Sequence, residues 1–203
     1  MLNNLPDAGL RAASVPPTLR IGLIADTHMP GSLAALWPQA YAAFCAVDMI
    51  LHAGDLHTLE VVDELGKLAP VYVARGNGDM DIVDPRMQDS WLLEVGGVHI
   101  GMIHHLPSPV RKSSDHIRRY VDKHFCDIRP QVLIYGHTHL EGLHVVGDML
   151  CVNPGSPTLP RNQSLRLGTI GFLDIAAGQV TASVHQLTDH GIEAHESVLP
   201  LTI

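Results

Sequence analysis

The chain has 203 residues, a formal net charge of −8 and only 4% aromatic residues. That length fits one domain able to bury roughly 70% of its unfolded surface, so no staple is needed for folding. The acidic balance argues against an extensive nucleic-acid surface, and the scarcity of aromatics argues against a base-stacking platform. The cysteines, Cys45, Cys126 and Cys151, are widely spaced and form no C-x-x-C pair, so no disulfide framework is expected and a reducing cytoplasm is the natural compartment. No apolar run reaches the 18 residues of a membrane span. Residues 1–19 lack a basic start followed by an apolar core and read as a flexible leader rather than a secretory signal. Residues 20–203 then form the domain.

Arg20 to Ala25 (RIGLIA) predicts a buried strand. Residues 33–46 read as helical, with Pro38 a start or a kink. Asp48 to Ala53 (DMILHA) predicts a second strand. Thr58 can cap a helix with Val61, Val62, Leu65 and Leu68 on one face. Val71 to Ala74 predicts a third strand. Trp91 to Ile103 reads as two strands around a Gly96-Gly97 turn. Ser113 or Ser114 opens a helix reaching about Phe125, and Val132 to Tyr135 is again a strand. A hairpin over 143–152 turns at Gly147-Asp148, and strands near 167–175 and 179–186 complete the pattern. Strand–helix alternation early and hairpins late predict a layered α/β architecture with mixed sheets.

Chemistry collects where strands end. Asp26-Thr27-His28 follows the first, Gly54-Asp55 the second, Arg75-Gly76-Asn77-Gly78-Asp79 the third, His104-His105 the fifth and Gly136-His137-Thr138-His139 a later one. The crevice outside strand C-termini is where open α/β sheets bind ligands. Residues two apart in extended chain point the same way, so Asp26 with His28, and His137 with His139, can face one ion. Carboxylate, imidazole and carboxamide donors suit Mn²⁺, Fe²⁺, Zn²⁺ or Ni²⁺, and the absence of cysteine disfavours a thiolate zinc site. Asp26, His28, Asp55, Asn77, His104, His137 and His139 are too many for one ion, whereas two ions sharing a carboxylate would use them all. Gly54, Gly76 and Gly136 precede donors, as tight turns require.

The ordered set DTH, GD, GN-x-D, a strand-end histidine and GHTH resembles the calcineurin-like metallophosphoesterases, and among them the small single-domain phosphodiesterases of bacteria and archaea. Asn153-Pro154-Gly155-Ser156 and Arg161 resemble a late segment of that branch, and the likeness spans roughly residues 20–185. It implies a four-layer αββα sandwich, with two mixed β-sheets flanked by helices. It implies two divalent ions, with manganese first and iron, zinc, nickel or magnesium as alternatives. Asp26, His28 and His139 would hold one ion, Asn77, His104 and His137 the other, and Asp55 both. A hydroxide between the ions would attack phosphorus in line on a small phosphorylated substrate, a diester before a monoester. A homo-oligomer is compatible with the resemblance.

Two departures bear on the chemistry. Many members of the superfamily carry GNHD, with a histidine that protonates the leaving group; here Gly78 stands in its place, so aryl esters should react faster than alkyl esters. His105 follows the ligand position where the family has glycine, and it joins Asp55, Asn77 and His104 as a catalytic candidate near the leaving group. It also competes with His104 as a ligand. Asp79 reads as an orienter or turn former, and Arg161 as a phosphate contact or loop packing. His52, His57, His99 and His144 read as structural, with His57 able to touch the cleft rim; His116, His124, His185, His190 and His195 as surface; Cys45 and Cys151 as core fillers. The alternative function is a scaffold: the branch also resembles a retromer subunit with this fold. The complete donor set favours the enzyme.

Overall fold

The computed structural model describes residues 18–126, 128–162 and 165–203; the leader expected over residues 1–19 falls outside them except for its last two residues. Strands β1 (Leu19–Ile24), β2 (Met49–His52), β3 (Val71–Ala74) and β4 (Met87–Gln88) run parallel. Antiparallel to β1 comes β10 (Thr169–Ala176), then β11 (Gln179–Thr188), which pairs with both β12 (Gly191–Ala194) and β13 (Leu201–Thr202). Together they make an eight-stranded mixed sheet. The second sheet has five strands: β5 (Ser90–Val95), β6 (Val98–Ile103), β7 (Val132–Ile134), β9 (Met149–Asn153) and β8 (Gly142–Val146), in that spatial order. In it β6, β7 and β9 are parallel and the two outer pairs antiparallel.

Alternation along the strands sorts their side chains into layers. Ile21, Leu23 and Leu51 of the large sheet meet Ile100, Met102, Val132, Ile134, Leu150 and Val152 of the small one. On the other face of the large sheet, Ile24, Ile50, Val71 and Val73 pack on helices α1 (Pro38–Phe44) and α2 (Glu60–Leu65) through Ala40, Phe44, Val61, Val62 and Leu65. Helix α3 (Ser114–Val121) lays Ile117 and Val121 over Ile103, Leu133, Tyr135 and Cys151 on the outer face of the small sheet. The result is the expected αββα sandwich. At Gly22, a Cβ would come within 2.7 Å of the Phe44 ring, so the glycine lets α1 close on β1.

Several boundaries differ from expectation. α1 starts at Pro38, because the ring removes an N–H and holds Trp37 at an extended ψ of 134°, which stops a helical run from 33 passing through. α2 begins at Glu60 after Leu59; the Thr58 hydroxyl is 3.4 Å from the Glu60 N–H, and Leu68 lies beyond the helix end, packed on the core from a turn. α3 opens at Ser113, whose hydroxyl accepts from the His116 N–H, but closes at Val121, short of Phe125. The short strands β4, β12 and β13 had no apolar run to announce them. Cys45 is exposed and not a core filler, while Cys151 is buried as expected.

The parallel strands β1, β2, β3, β6 and β7 deliver their C-termini to one edge, where hydrogen bonds tie the loops together. Asp79 is fully buried, and its carboxylate accepts from the N–H groups of Asp55 (2.8 Å), Leu56 (2.8 Å), His57 (3.0 Å) and Gly76 (2.9 Å). Burial alone would raise this carboxyl, but the bonds to His57, Gly76 and Leu56, with the nearby His52, hold it below its ordinary value. Asp79 is thus the turn former of the alternatives open to it. His52, also fully buried, accepts the Gly54 N–H on Nδ1 (3.1 Å) and so donates from Nε2 to the Thr27 hydroxyl (3.2 Å). The late NPGS segment closes the ring. Ser156 donates to the Asp26 carbonyl (2.8 Å), Thr158 to that of Thr27 (2.8 Å), and Asn153 to that of Gly136 (3.1 Å) and to the Thr138 hydroxyl (3.0 Å).

Replacing Asp79 by Asn leaves one carbonyl oxygen for donors now served by two, and should cost roughly 2–4 kcal/mol, read from urea unfolding. Burial pushes the His52 imidazole down to about 4, against the opposing pull of Asp79 and Asp55. Its neutral form therefore stabilises the fold fully above the ordinary histidine value near 6.5, and that contribution is lost as pH falls from there towards 4. In metal-free protein, His52→Asn should flatten the dependence of unfolding free energy on pH across this window by up to about 1.4 kcal/mol per pH unit; an unchanged slope contradicts the assignment.

Candidate metal centre

The strand-end loops bring all the expected donors into one crevice, in two clusters. Asp26, His28 and His139 each offer an atom within 4.8 Å of the others, and so do Asp55, His104 and His137. In the first cluster the Nε2 atoms of His28 and His139 are 3.0 Å apart, and Asp26 Oδ1 is 4.0 Å from His139 Nε2. In the second, Asn77 Oδ1 lies 3.2 Å from His104 Nε2 and 3.0 Å from His137 Nδ1, and the two nitrogens are 3.2 Å apart. Asp55 lies between the clusters, with Oδ2 3.5 Å from His28 Nε2 and Oδ1 3.5 Å from His104 Nε2.

The rings are oriented from behind. His104 Nδ1 donates to the Ala53 carbonyl (2.7 Å) and His139 Nδ1 to that of Leu159 (2.6 Å). Each bond fixes the tautomer that leaves a lone pair on Nε2, facing the crevice. Burial lowers the pKa of His28 to about 4, with smaller contributions from neighbouring His139 and His57 and an opposing one from Asp55. Burial likewise lowers His139 and His137. Neutral imidazoles are the form that binds metal.

The carboxylates show the complementary imbalance. Asp26 is fully buried; Oδ1 accepts the His137 N–H at 3.0 Å, and Oδ2 has no hydrogen-bond partner. Burial raises its pKa well above the ordinary value, and the Asp55 charge adds to the rise. An orphaned buried oxygen beside neutral imidazoles is a costly arrangement that a cation would satisfy. Donor separations of 3.0–3.5 Å also match ligands standing roughly 2.0–2.2 Å from a shared ion. The residues present fit two divalent ions of the kind that nitrogen and oxygen donors hold.

The backbone explains how residues two apart come to face one point, and it corrects the expectation of extended chain. Asp26 (φ 53°), His28 (47°), Asp55 (58°), His57 (68°), His137 (69°) and His139 (54°) all lie in the left-handed region. Each costs on the order of 1–3 kcal/mol and persists because its surroundings over-determine it. Gly76 has no room for a side chain, because a Cβ there would overlap the Asp55 carboxylate.

His104 and not His105 stands in the second cluster. The Nδ1 atom of His105 is 3.0 Å from the Tyr120 hydroxyl, and its ring stands edge-on to His137 at 4.9 Å. Arg161 lends its N–H to the His139 carbonyl (2.8 Å), while its guanidinium lies 3.3 Å from Glu141. His124, exposed as expected, borders a cavity with His105 and Tyr120. His57, read as structural with reach to the cleft rim, does touch the first cluster: its Nε2 is 3.0 Å from His28 Nδ1. The signal for it was present, since Asp55-x-His57 repeats the spacing of Asp26-x-His28 and His137-x-His139.

Among curated relatives, a probable metallophosphoesterase of Methanothermobacter thermautotrophicus is 38% identical over 143 residues, covering 70% of this chain and 78% of the relative. Another, from Methanocaldococcus jannaschii, is 37% identical over 146 residues, 71% of each chain. Among solved structures, vacuolar protein sorting 29 from Cryptosporidium parvum matches with a TM-score of 0.74 at 17% identity, over 92% of this chain and 98% of that one. Wild-type Vps29 from Entamoeba histolytica, solved in complex with zinc, matches with a TM-score of 0.67 at 23% identity, over 91% and 98%. These two likenesses are of fold. A family model described as a calcineurin-like phosphoesterase superfamily domain matches residues 19–178. With most of its length matched and its strand-end donors gathered in one crevice, the chain belongs to the calcineurin-like phosphoesterase superfamily.

Proposed function

We propose that the chain is a two-metal phosphoesterase acting on small phosphodiesters. The observation that carries this reading is the Asp55 carboxylate, which turns one oxygen to each cluster at 3.5 Å. Asp26, His28 and His139 would hold one ion, Asn77, His104 and His137 the other, and Asp55 both. Manganese is the expected metal, with iron, zinc, nickel and magnesium able to use the same donors. Two such ions supply a nucleophilic oxygen at neutral pH and neutralise charge on the phosphoryl group. The chain's own part is placement: left-handed turns aim the donors, carbonyls set the imidazole tautomers, and the loops hold them ahead of substrate.

The preference for a diester rests on the surroundings of the second cluster. A cavity of about 270 Å³ borders Asn77 and His104 and is walled by Met80, Ile103, His105 and Tyr120. The cation that lines it, Arg75, is 2.6 Å from Asp89 and so already paired. A mostly apolar wall suits an ester substituent better than the second charge of a monoester. His105 stands at this wall with Nδ1 taken by Tyr120, which leaves Nε2 for a substrate oxygen. The cysteines, all free, are in keeping with a reducing cytoplasm.

With Mn²⁺ added, the wild-type chain should carry two ions and hydrolyse bis(p-nitrophenyl) phosphate. Asp55→Asn should lose at least one ion by elemental analysis and about 10³-fold or more in kcat/KM. Full turnover in that variant, or a wild type without metal or activity, removes the enzyme reading and leaves a scaffold of the same fold. With Gly78 in place of an acid, aryl diesters should outrun alkyl diesters by about 10²-fold or more. His105→Ala should slow alkyl substrates further while sparing aryl ones; turnover of both classes unchanged from wild type would remove His105 from the chemistry.

A further inference from the structure

We propose that His57 is a positioning residue for His28, and that residue 78 is glycine in order to admit it. The inference rests on the two-metal reading, within which each imidazole that offers Nε2 needs an acceptor behind its Nδ1–H. For His104 and His139 that acceptor is a backbone carbonyl, of Ala53 and Leu159. His28 has His57 instead, with Nδ1 and Nε2 3.0 Å apart and the rings nearly perpendicular at 85°. A His28 ring whose Nε2 holds a cation carries its proton on Nδ1. His57 must then accept on Nε2 and carry its own proton on Nδ1, as a neutral imidazole can.

Two further observations place the ring there by construction. The first is the backbone of His57, left-handed at φ 68° with its N–H donated to Asp79 at 3.0 Å, so the buried carboxylate that shapes this loop also turns His57 inward. The second is Gly78. It is not among the residues or glycines with positive φ, so its backbone would accept a side chain. The obstacle is spatial: a Cβ at 78 would overlap Nε2 and Cδ2 of His57, whereas it would stand 3.4 Å from Asp55 Oδ1, an ordinary contact. An exposed loop histidine with no task would account for neither the strained backbone nor the missing side chain opposite it.

The test is titration of the metal-free full chain with Co²⁺, followed by calorimetry and by the visible absorption of the bound ion. His139→Ala identifies which of two binding steps belongs to the cluster of Asp26, His28 and His139. His57→Ala should weaken that step about 10–100-fold and leave the other within about threefold. Gly78→Ala, which keeps the His57 ring but displaces it, should weaken the same step. His57→Gln, whose amide oxygen can accept the His28 proton, should restore it to within about threefold of wild type. Two unchanged steps in both His57→Ala and Gly78→Ala overturn the inference and leave the two-metal reading intact. Equal weakening of both steps in His57→Ala overturns it as well, by marking a general loosening of the loops. A wild type that binds no Co²⁺ overturns the two-metal reading and this inference with it.

Discussion

The crevice depends on a carboxylate that faces no donor cluster. Asp79 gathers backbone N–H groups from Gly76 and from each of Asp55, Leu56 and His57, so the loop after β2 has little freedom to choose its own shape. That constraint holds Asp55 and His57 in left-handed backbone and presents the Asp55 side chain between two groups of imidazoles. A carboxylate can satisfy so many donors only because both oxygens accept, and its burial keeps water from competing for them. The same logic recurs in neutral form at Asn153 and Ser156, which hold the loops after β7 and β1.

The electrostatics of the crevice are deliberately out of balance. Two buried aspartates face rings that burial keeps neutral, so the positive charge that would normally accompany them is not supplied by the chain. The unpartnered oxygen of Asp26 shows this imbalance at a single atom.

Much of this was legible in the sequence because strands buried on both faces write themselves as apolar runs, and the residues just past such a run lie at a sheet edge. RIGLIA, DMILHA and VYVA each deliver their polar successors to the crevice, and DTH, GD, GN and GHTH fall where those runs stop. The short pairings were not legible: β4, β12 and β13 exist through partners distant in sequence and carry no periodicity of their own. Nor was the left-handed backbone, since aspartate and histidine, though enriched there among non-glycine residues, adopt positive φ only in a small minority of positions. His57 is partly hidden for a related reason. The Asp55-x-His57 spacing hints at the crevice, but the contact with His28 appears only in the fold, and Gly78, lacking a side chain, gives no hint of the ring that fills the space it leaves.

The two clusters are not each confined to one sheet. Asp26 and His28 follow β1, while His139 follows β7 across the sandwich; Asp55 and Asn77 follow β2 and β3, while His104 and His137 come from the small sheet. Any cation gripped there rivets the two halves of the molecule at one rim, adding to the apolar contacts and the Trp91–Val73 hydrogen bond that join them further in. Sliding one sheet against the other would then tear ligands from ions, so the resistance of the whole sandwich to shear becomes a function of free metal concentration through mass action.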